Sequence, residues 1–316
     1  GGLAMYPLHG ADADSLINNA DLALQNAKAA GRKCLRSFHV SLRHEREKQS
    51  SMIAMAKAAV NEQRIQPYYQ PKVSLSEGRI VGFEALLRWD HPTRGLQHPA
   101  TIEAAFQDRD VGWEISQLML ERITQDIEAW LDSDVDFGYV AINVAPSDLL
   151  RPDYAETILA RLHRRSLPCS SLRLEVTETV FLGRRAEGVA RTLETLDSAG
   201  IRIALDDFGT GYASLAHLQR FPVHELKIDR SFIDPLMTRE EAPIACALIA
   251  LAKSLKMTSI AEGVETVEQA TFLKAAGCDE AQGFLFAPAV PPATVAQLLR
   301  RRWFFDEVTE PAQNCR

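Results

Sequence analysis

A chain of 316 residues, 46% hydrophobic and 24% charged, suffices for one large core and an appendage, since a (β/α) barrel needs roughly 250 residues. The formal net charge of −7 argues against broad binding of polymeric nucleic acid, but not against a small phosphorylated ligand whose charge is met by cations. No apolar stretch approaches the ~18 residues of a membrane span, and Gly1 to Pro7 lacks the pattern of a signal peptide, so a cytoplasmic chain without membrane contact is expected; any tether would lie in segments outside it.

In chain order, Gly2 to Tyr6 reads as a short strand and Asp12 to Ala30 as a helix, with Leu16, Ala20, Ala23, Leu24 and Ala27 at helical spacing and Gly31 as its stop. One strand and one helix cannot bury a core, so residues 1–40 are expected to be the end of a preceding domain. Residues 41–63 read as a linker helix, charged over Arg43 to Lys48 and apolar at Met52, Met55, Ala56, Ala59 and Val60.

Residues 64–316 alternate strand-like runs with amphipathic helical stretches. The predicted strands are Gln66 to Val73, Ile80 to Arg88, Tyr139 to Val144, Leu172 to Thr177, Ile201 to Asp206, Glu225 to Ile228, Thr258 to Ala261 and Glu280 to Gly283. The predicted helices are Trp113 to Leu131, Asp153 to Arg165, Arg185 to Ala199, Glu240 to Leu255 and Val267 to Ala276, with Gly200 and Gly277 ending two of them. Eight such strands predict an α/β fold, a TIM-like (β/α)8 barrel. The short turn Ser74 to Arg79 makes the first two strands a hairpin, so one strand should run antiparallel to the rest.

Cys34, Cys169, Cys246, Cys278 and Cys315 are odd in number and widely spaced. That excludes the usual zinc spacings and a disulfide framework, and reduced thiols are expected.

Nearly every predicted strand carries one polar residue in or at the end of its apolar run: Glu84, Asn143, Glu175, Asp206 with Asp207, Lys227, Glu262 and Gln282. Burying one unpaired carboxylate is costly, and several on successive strands need a common cause. Strand ends of a barrel converge on one mouth, where acids and an amide form a hard oxygen-donor site suited to Mg²⁺ or Mn²⁺. Two such ions roughly 3.5–4 Å apart can support in-line displacement at phosphorus. The loop Asp206-Asp207-Phe208-Gly209-Thr210-Gly211-Tyr212 follows directly, its glycines permitting tight turns beside the acids.

These residues carry a resemblance. Glu84-Ala85-Leu86-Leu87-Arg88-Trp89, Asn143-Val144-Ala145, Glu175-Val176-Thr177-Glu178-Thr179, the Asp206 to Tyr212 loop, Leu226-Lys227-Ile228-Asp229, Ala261-Glu262-Gly263-Val264-Glu265 and Gln282-Gly283-Phe284 resemble, in order, the EAL-domain phosphodiesterases of cyclic di-GMP. The resemblance covers about residues 50 to 305 and implies hydrolysis of cyclic di-GMP to linear pGpG; a non-catalytic cyclic di-GMP receptor module is the alternative. It implies that Glu84, Asn143, Glu175 and Asp206 hold one of two Mg²⁺ or Mn²⁺ ions, and that Asp206, Asp207 and Glu262 hold or approach the second, with Ca²⁺ a non-productive occupant. Lys227 would orient the attacking water, Glu262 has also been cast as general base, and Glu265 and Gln282 would hold metal-bound water or order the site. Glu178 resembles the acid that braces the Asp207 loop. Gln70, Arg88 and Asp207 fall to the substrate, and a homodimer through elements near that loop is a further implication.

Two departures leave the implied ligands in place: Ala145 where Ser is usual, and Ala213 in the Tyr212-Ala213-Ser214 stretch. The stretch Gly95 to Val111 also diverges from the commonest form. Residues 1 to about 40, through Ala20-Asp21-Leu22-Ala23-Leu24, Ala27-Lys28 and Gly31-Arg32, resemble the C-terminal end of a GGDEF domain, with Gln25 replacing a usual Tyr.

Overall fold

The computed structural model describes residues 1–31, 33–181, 186–209, 221–234 and 242–303. The loop residues Thr210, Gly211, Tyr212, Ala213 and Ser214 lie outside them, as do Arg32, Arg185, Glu240 and Cys315. The chain forms two compact units: residues 1–63 with 98–112, and residues 64–97 with 113–316.

In the first unit, strands β1 (Gly2–Leu3) and β2 (Arg36–Ser37) pair in parallel across helix α1 (Ala13–Ala29). Asp12 starts α1, accepting from the Ser15 backbone N–H at 2.7 Å, while its own N–H donates to Ser15 Oγ at 3.4 Å. Helix α2 (Val40–Asn61) buries Met52, Ala56 and Ala59, three of the positions that its apolar spacing picked out.

The second unit is a closed barrel of eight strands: β3 (Ile65–Ser74), β4 (Ile80–His91), β6 (Val140–Asn143), β7 (Leu172–Thr177), β8 (Arg202–Phe208), β9 (Glu225–Ile228), β10 (Thr258–Ala261) and β11 (Glu280–Gln282). A three-residue strand, β5 (Gly95–Gln97), extends the sheet from β4. Strand β3 runs antiparallel to both its neighbours, β4 and β11, and the other ring pairings are parallel. The predicted hairpin thus produces the predicted inversion.

Alternation along the strands decides what fills the barrel. Leu172, Leu174 and Val176 on β7, Leu226 and Ile228 on β9, and Tyr69 and Val73 on β3 face outward into the hydrophobic core shared with the surrounding helices. That core includes Ile158 and Leu162 of helix Tyr154–Arg164, Leu193 and Leu196 of helix Ala186–Ser198, and Ile249 of helix Ala242–Ser254. Gly200 and Gly277 end helices with φ of 95° and 86°, a backbone that glycine adopts without a Cβ clash. The alternate positions point into the lumen: Arg173 and Glu175, Glu225 and Lys227, Glu280 and Gln282, Gln70 and Lys72. A TIM barrel usually packs its lumen with branched apolar side chains; this one packs it with hydrogen-bonded charge.

Cys34, Cys169 and Cys278 are free thiols, as expected. Cys246 is disulfide-bonded, which corrects the expectation of uniformly reduced cysteines. Among the described residues, no helix is long and apolar enough to cross a membrane.

Candidate active site

Strand register brings the polar residues together. Across β3–β4, Gln70 lies opposite Glu84; across β3–β11, Lys72 lies opposite Gln282; across β6–β7, Asn143 lies opposite Glu175. Glu84 is the hub of an amide network, accepting from Asn143 Nδ2 at 2.6 Å and from Gln282 Nε2 at 2.7 Å. Gln282 also donates to Gln70 Oε1 at 3.1 Å, and Gln70 donates to the Ala287 carbonyl at 3.3 Å.

Lys227 stands at the centre. Its ammonium donates to Glu175 Oε2 and lies 2.6 Å from Glu262, 3.0 Å from Asp206 and 3.8 Å from Glu84. Lys72, fully buried on β3, donates to the other oxygen of Glu175. Below them, towards the strand starts, the Tyr139 hydroxyl donates to Glu280 at 2.7 Å, and Arg173 donates to the buried Glu225. With Glu84, Glu175, Asp206, Asp207 and Glu262 ionised against Lys72 and Lys227, five negative charges face two positive ones, leaving three uncompensated.

The titration behaviour follows from this crowding. Burial pushes the Glu262 carboxyl up to about 8; Asp206, Glu84 and Glu175 add to the rise, and Lys227 only partly offsets it. Glu84 is raised for the same reason, by burial and then by Glu175. Burial would raise Glu175 too, but the two lysines together hold it down at about 2. Asp207 is raised by burial and by the charges of Asp206 and Asp229.

Consecutive strand residues normally face opposite ways, yet Asp206, Asp207 and Glu262 offer carboxylate oxygens within 4.8 Å of one another. The cause is local. Asp207 has a left-handed backbone, φ 56°, where the β8–β9 register slips between Leu205 and Phe208. Aspartate tolerates that conformation better than most residues, and the kink turns both carboxylates to one side. Glu178 Oε1 accepts from the Gly209 backbone N–H at 2.8 Å, fixing the chain just beyond the kink. The donor set is carboxylate oxygens plus one amide, it carries excess negative charge, and it fits hard divalent cations.

The cluster opens into a cavity of about 260 Å³ lined by Gln70, Glu84, Asp206, Lys227, Glu262 and Gln282, with Leu86, Arg230, Gly263, Glu265, Gly283 and Phe284 completing the wall. Glu265 lies on this wall, ion-paired with Arg230 at 2.9 Å. Arg88 lies on β4 two residues beyond Leu86, outside the cavity lining, with its guanidinium over the Tyr68 ring. A larger groove of about 530 Å³ between helices Tyr154–Arg164 and Ala186–Ser198 shares no residue with the acid-lined cavity.

Sequence reasoning passed over Lys72, Arg230 and Phe284 as individual site residues. Lys72 had a signal, standing two residues after Gln70 on the same strand face; Arg230 and Phe284 follow Lys227 and Gln282 by three and two positions.

Fold and site define an acid-mouthed, TIM-like barrel with one inverted strand. The chain belongs to the EAL domain family, whose description matches residues 53–289. Among its relatives, the bifunctional diguanylate cyclase/cyclic di-GMP phosphodiesterase MucR of Pseudomonas aeruginosa is 36% identical over 92% of this chain and 42% of its own length. The cyclic di-GMP phosphodiesterase NbdA of the same organism is 34% identical over 95% of this chain and 38% of its own. The chain thus spans about two fifths of the length of these relatives. A solved structure of the MucR phosphodiesterase in complex with c-di-GMP aligns with a TM-score of 0.73 at 35% identity, covering 78% of this chain and 99% of that one. The EAL domain of Mycobacterium smegmatis DcpA aligns at 0.63 with 31% identity, covering 74% and 94%.

Proposed function

We propose that this chain hydrolyses cyclic di-GMP to linear pGpG with the support of two divalent cations, Mg²⁺ or Mn²⁺. The observation that carries the reading is the convergence of five carboxylates from β4, β7, β8 and the end of β10 around one lysine at a single barrel mouth. The relatives named as cyclic di-GMP phosphodiesterases support the substrate.

Glu84, Asn143, Glu175 and Asp206 would hold one ion, and Asp206, Asp207 and Glu262 the other. When bound, the ions supply activation of water and stabilisation of the departing ribose oxygen. The protein's own groups do the rest. Lys227 places a fixed positive charge where negative charge grows on phosphorus oxygens, and its N–H groups orient the attacking water. Glu262, 2.6 Å from Lys227 at the end of β10, is the carboxylate that would take a proton from the attacking water. Gln282 holds Glu84 from β11 and is itself fixed by Gln70 on β3. Glu178 keeps the Asp207 kink in shape through Gly209. Glu265 orders the rim by its pairing with Arg230. Arg88, outside the cavity lining, and Asp207 would meet the substrate at the rim, a guanidinium being suited to a phosphate. Residues 1 to about 40 we read as the end of a GGDEF domain, supported by the 92% of this chain that aligns with a bifunctional cyclase–phosphodiesterase.

The test is direct: purified protein, cyclic di-GMP and Mg²⁺, with nucleotide products separated chromatographically. Appearance of pGpG is expected. Tight binding without any product would make the chain a receptor, and faster cleavage of unrelated phosphodiesters would overturn the substrate.

A further inference from the structure

The two lysines in the lumen do different things. The Lys227 ammonium has three N–H donors and four carboxylates within 4 Å, so its charge is shared across the acids. Lys72 has one carboxylate partner among the described residues, Glu175, and reaches it across the barrel from β3 to β7 through Oε1. It is enclosed: no part of it meets solvent, and its Nζ lies 5.8 Å from the centroid of the Tyr139 ring. The Glu84 and Glu225 carboxylates attract it further, and the Lys227 ammonium repels it. Oε1 is committed to Lys72, and Oε2 accepts from Lys227, whose ammonium has three further carboxylates within 4 Å; Oε2 is therefore the oxygen that a cation can win from its partner.

That has a consequence for which cation is taken. A carboxylate's two oxygens lie about 2.2 Å apart, too close to span the ~2.9 Å between neighbouring corners of an octahedron with bonds of roughly 2.0–2.1 Å. Mg²⁺ and Mn²⁺ therefore lose nothing when a carboxylate presents a single oxygen. Ca²⁺, with six to eight ligands at about 2.3–2.6 Å, gains from carboxylates that bind through both. We infer that Lys72 is a cation-selectivity residue: by occupying Oε1 it restricts Glu175 to one-oxygen coordination and biases the site toward Mg²⁺ and Mn²⁺ over Ca²⁺. The inference rests on the reading of these acids as a divalent-cation site.

The experiment is calorimetric titration of the full chain with Mg²⁺ and, separately, with Ca²⁺, in wild type, Lys72→Met and Lys72→Gln. Methionine keeps the length of the side chain without its donors; glutamine keeps the lumen polar but is too short to hold Oε1, so it serves if the methionine variant does not fold. Loss of a partner that orients a metal ligand commonly changes affinity by about 10- to 100-fold. In both variants the ratio of Ca²⁺ to Mg²⁺ affinity is expected to rise by about tenfold or more. An unchanged ratio in a folded variant, including equal weakening of both ions, overturns the role of Lys72. Failure of the wild type to bind either ion overturns the underlying cation site instead.

Discussion

Replacing Lys227 by methionine should destabilise the metal-free protein severely and the metal-loaded protein much less. The side chain is almost fully buried, and its ammonium lies within 4 Å of Glu175, Glu262, Asp206 and Glu84. Methionine fills most of the volume, so the loss is one of charge. Removing one partner of a buried ion pair costs about 3–5 kcal/mol, because the other charge is stranded. Glu262, held near 8, already takes up a proton readily and keeps the cost toward the lower end. At roughly 2–4 °C per kcal/mol for a domain of this size, the midpoint should fall by roughly 6–20 °C in EDTA. Cations bound by the same carboxylates replace the missing charge; both proteins gain stability from binding, and the variant, with more uncompensated negative charge, binds more tightly and gains more. Thermal unfolding of both proteins, in EDTA and in excess Mn²⁺, reads this out. The gap should shrink by half or more with Mn²⁺. A variant as stable as the wild type in EDTA, or a gap that Mn²⁺ leaves untouched, would refute the account of Lys227 as an ammonium held among cation ligands.

Glu84→Ala should lower turnover of cyclic di-GMP by more than about a hundredfold, beyond the range for residues that only orient a ligand, while the fold survives because a costly buried carboxylate is removed with it. Near-normal turnover in Mg²⁺ would show that Glu84 holds no cation. The raised Glu262 carboxyl gives a pH signature: the metal-free fold holds a proton between the ordinary carboxyl value of 4.5 and about 8, so the folded state binds more protons than the unfolded one in that window. Stability in EDTA should therefore decline as pH rises from 4.5 to 8, and Mn²⁺ affinity should rise over the same range. Titrations at pH 7 in two buffers of different ionisation enthalpy should show proton release on Mn²⁺ binding; identical heats would contradict the raised carboxyl.

Much of the barrel was legible because its strands are short apolar-rich runs between helices and turn residues. Leu172–Thr177, Glu225–Ile228 and Thr258–Ala261 begin and end where the sequence places them. The short strands Arg36–Ser37 and Gly95–Gln97 were not legible, since two or three residues carry no period. The acids were legible as polar interruptions of apolar runs. Lys72 was not singled out, because a long amphipathic side chain on a strand reads equally well as a solvated edge, and only the β3–β11 register sets it beside Gln282. The left-handed backbone at Asp207 was hidden as well, because aspartate occurs in ordinary strand ends as readily as in kinks.

Strand β3, near one end of the barrel's sequence, pairs with β11, near the other, and the bond from Gln282 to Gln70 joins residues 212 positions apart. Until those two segments meet, Glu84 lacks Gln282, however well the intervening helices have formed. On the proposed function, the support of Glu84 therefore depends on completion of the ring. A chain cut short before Gln282 carries every acid of the site but lacks the amide that holds Glu84.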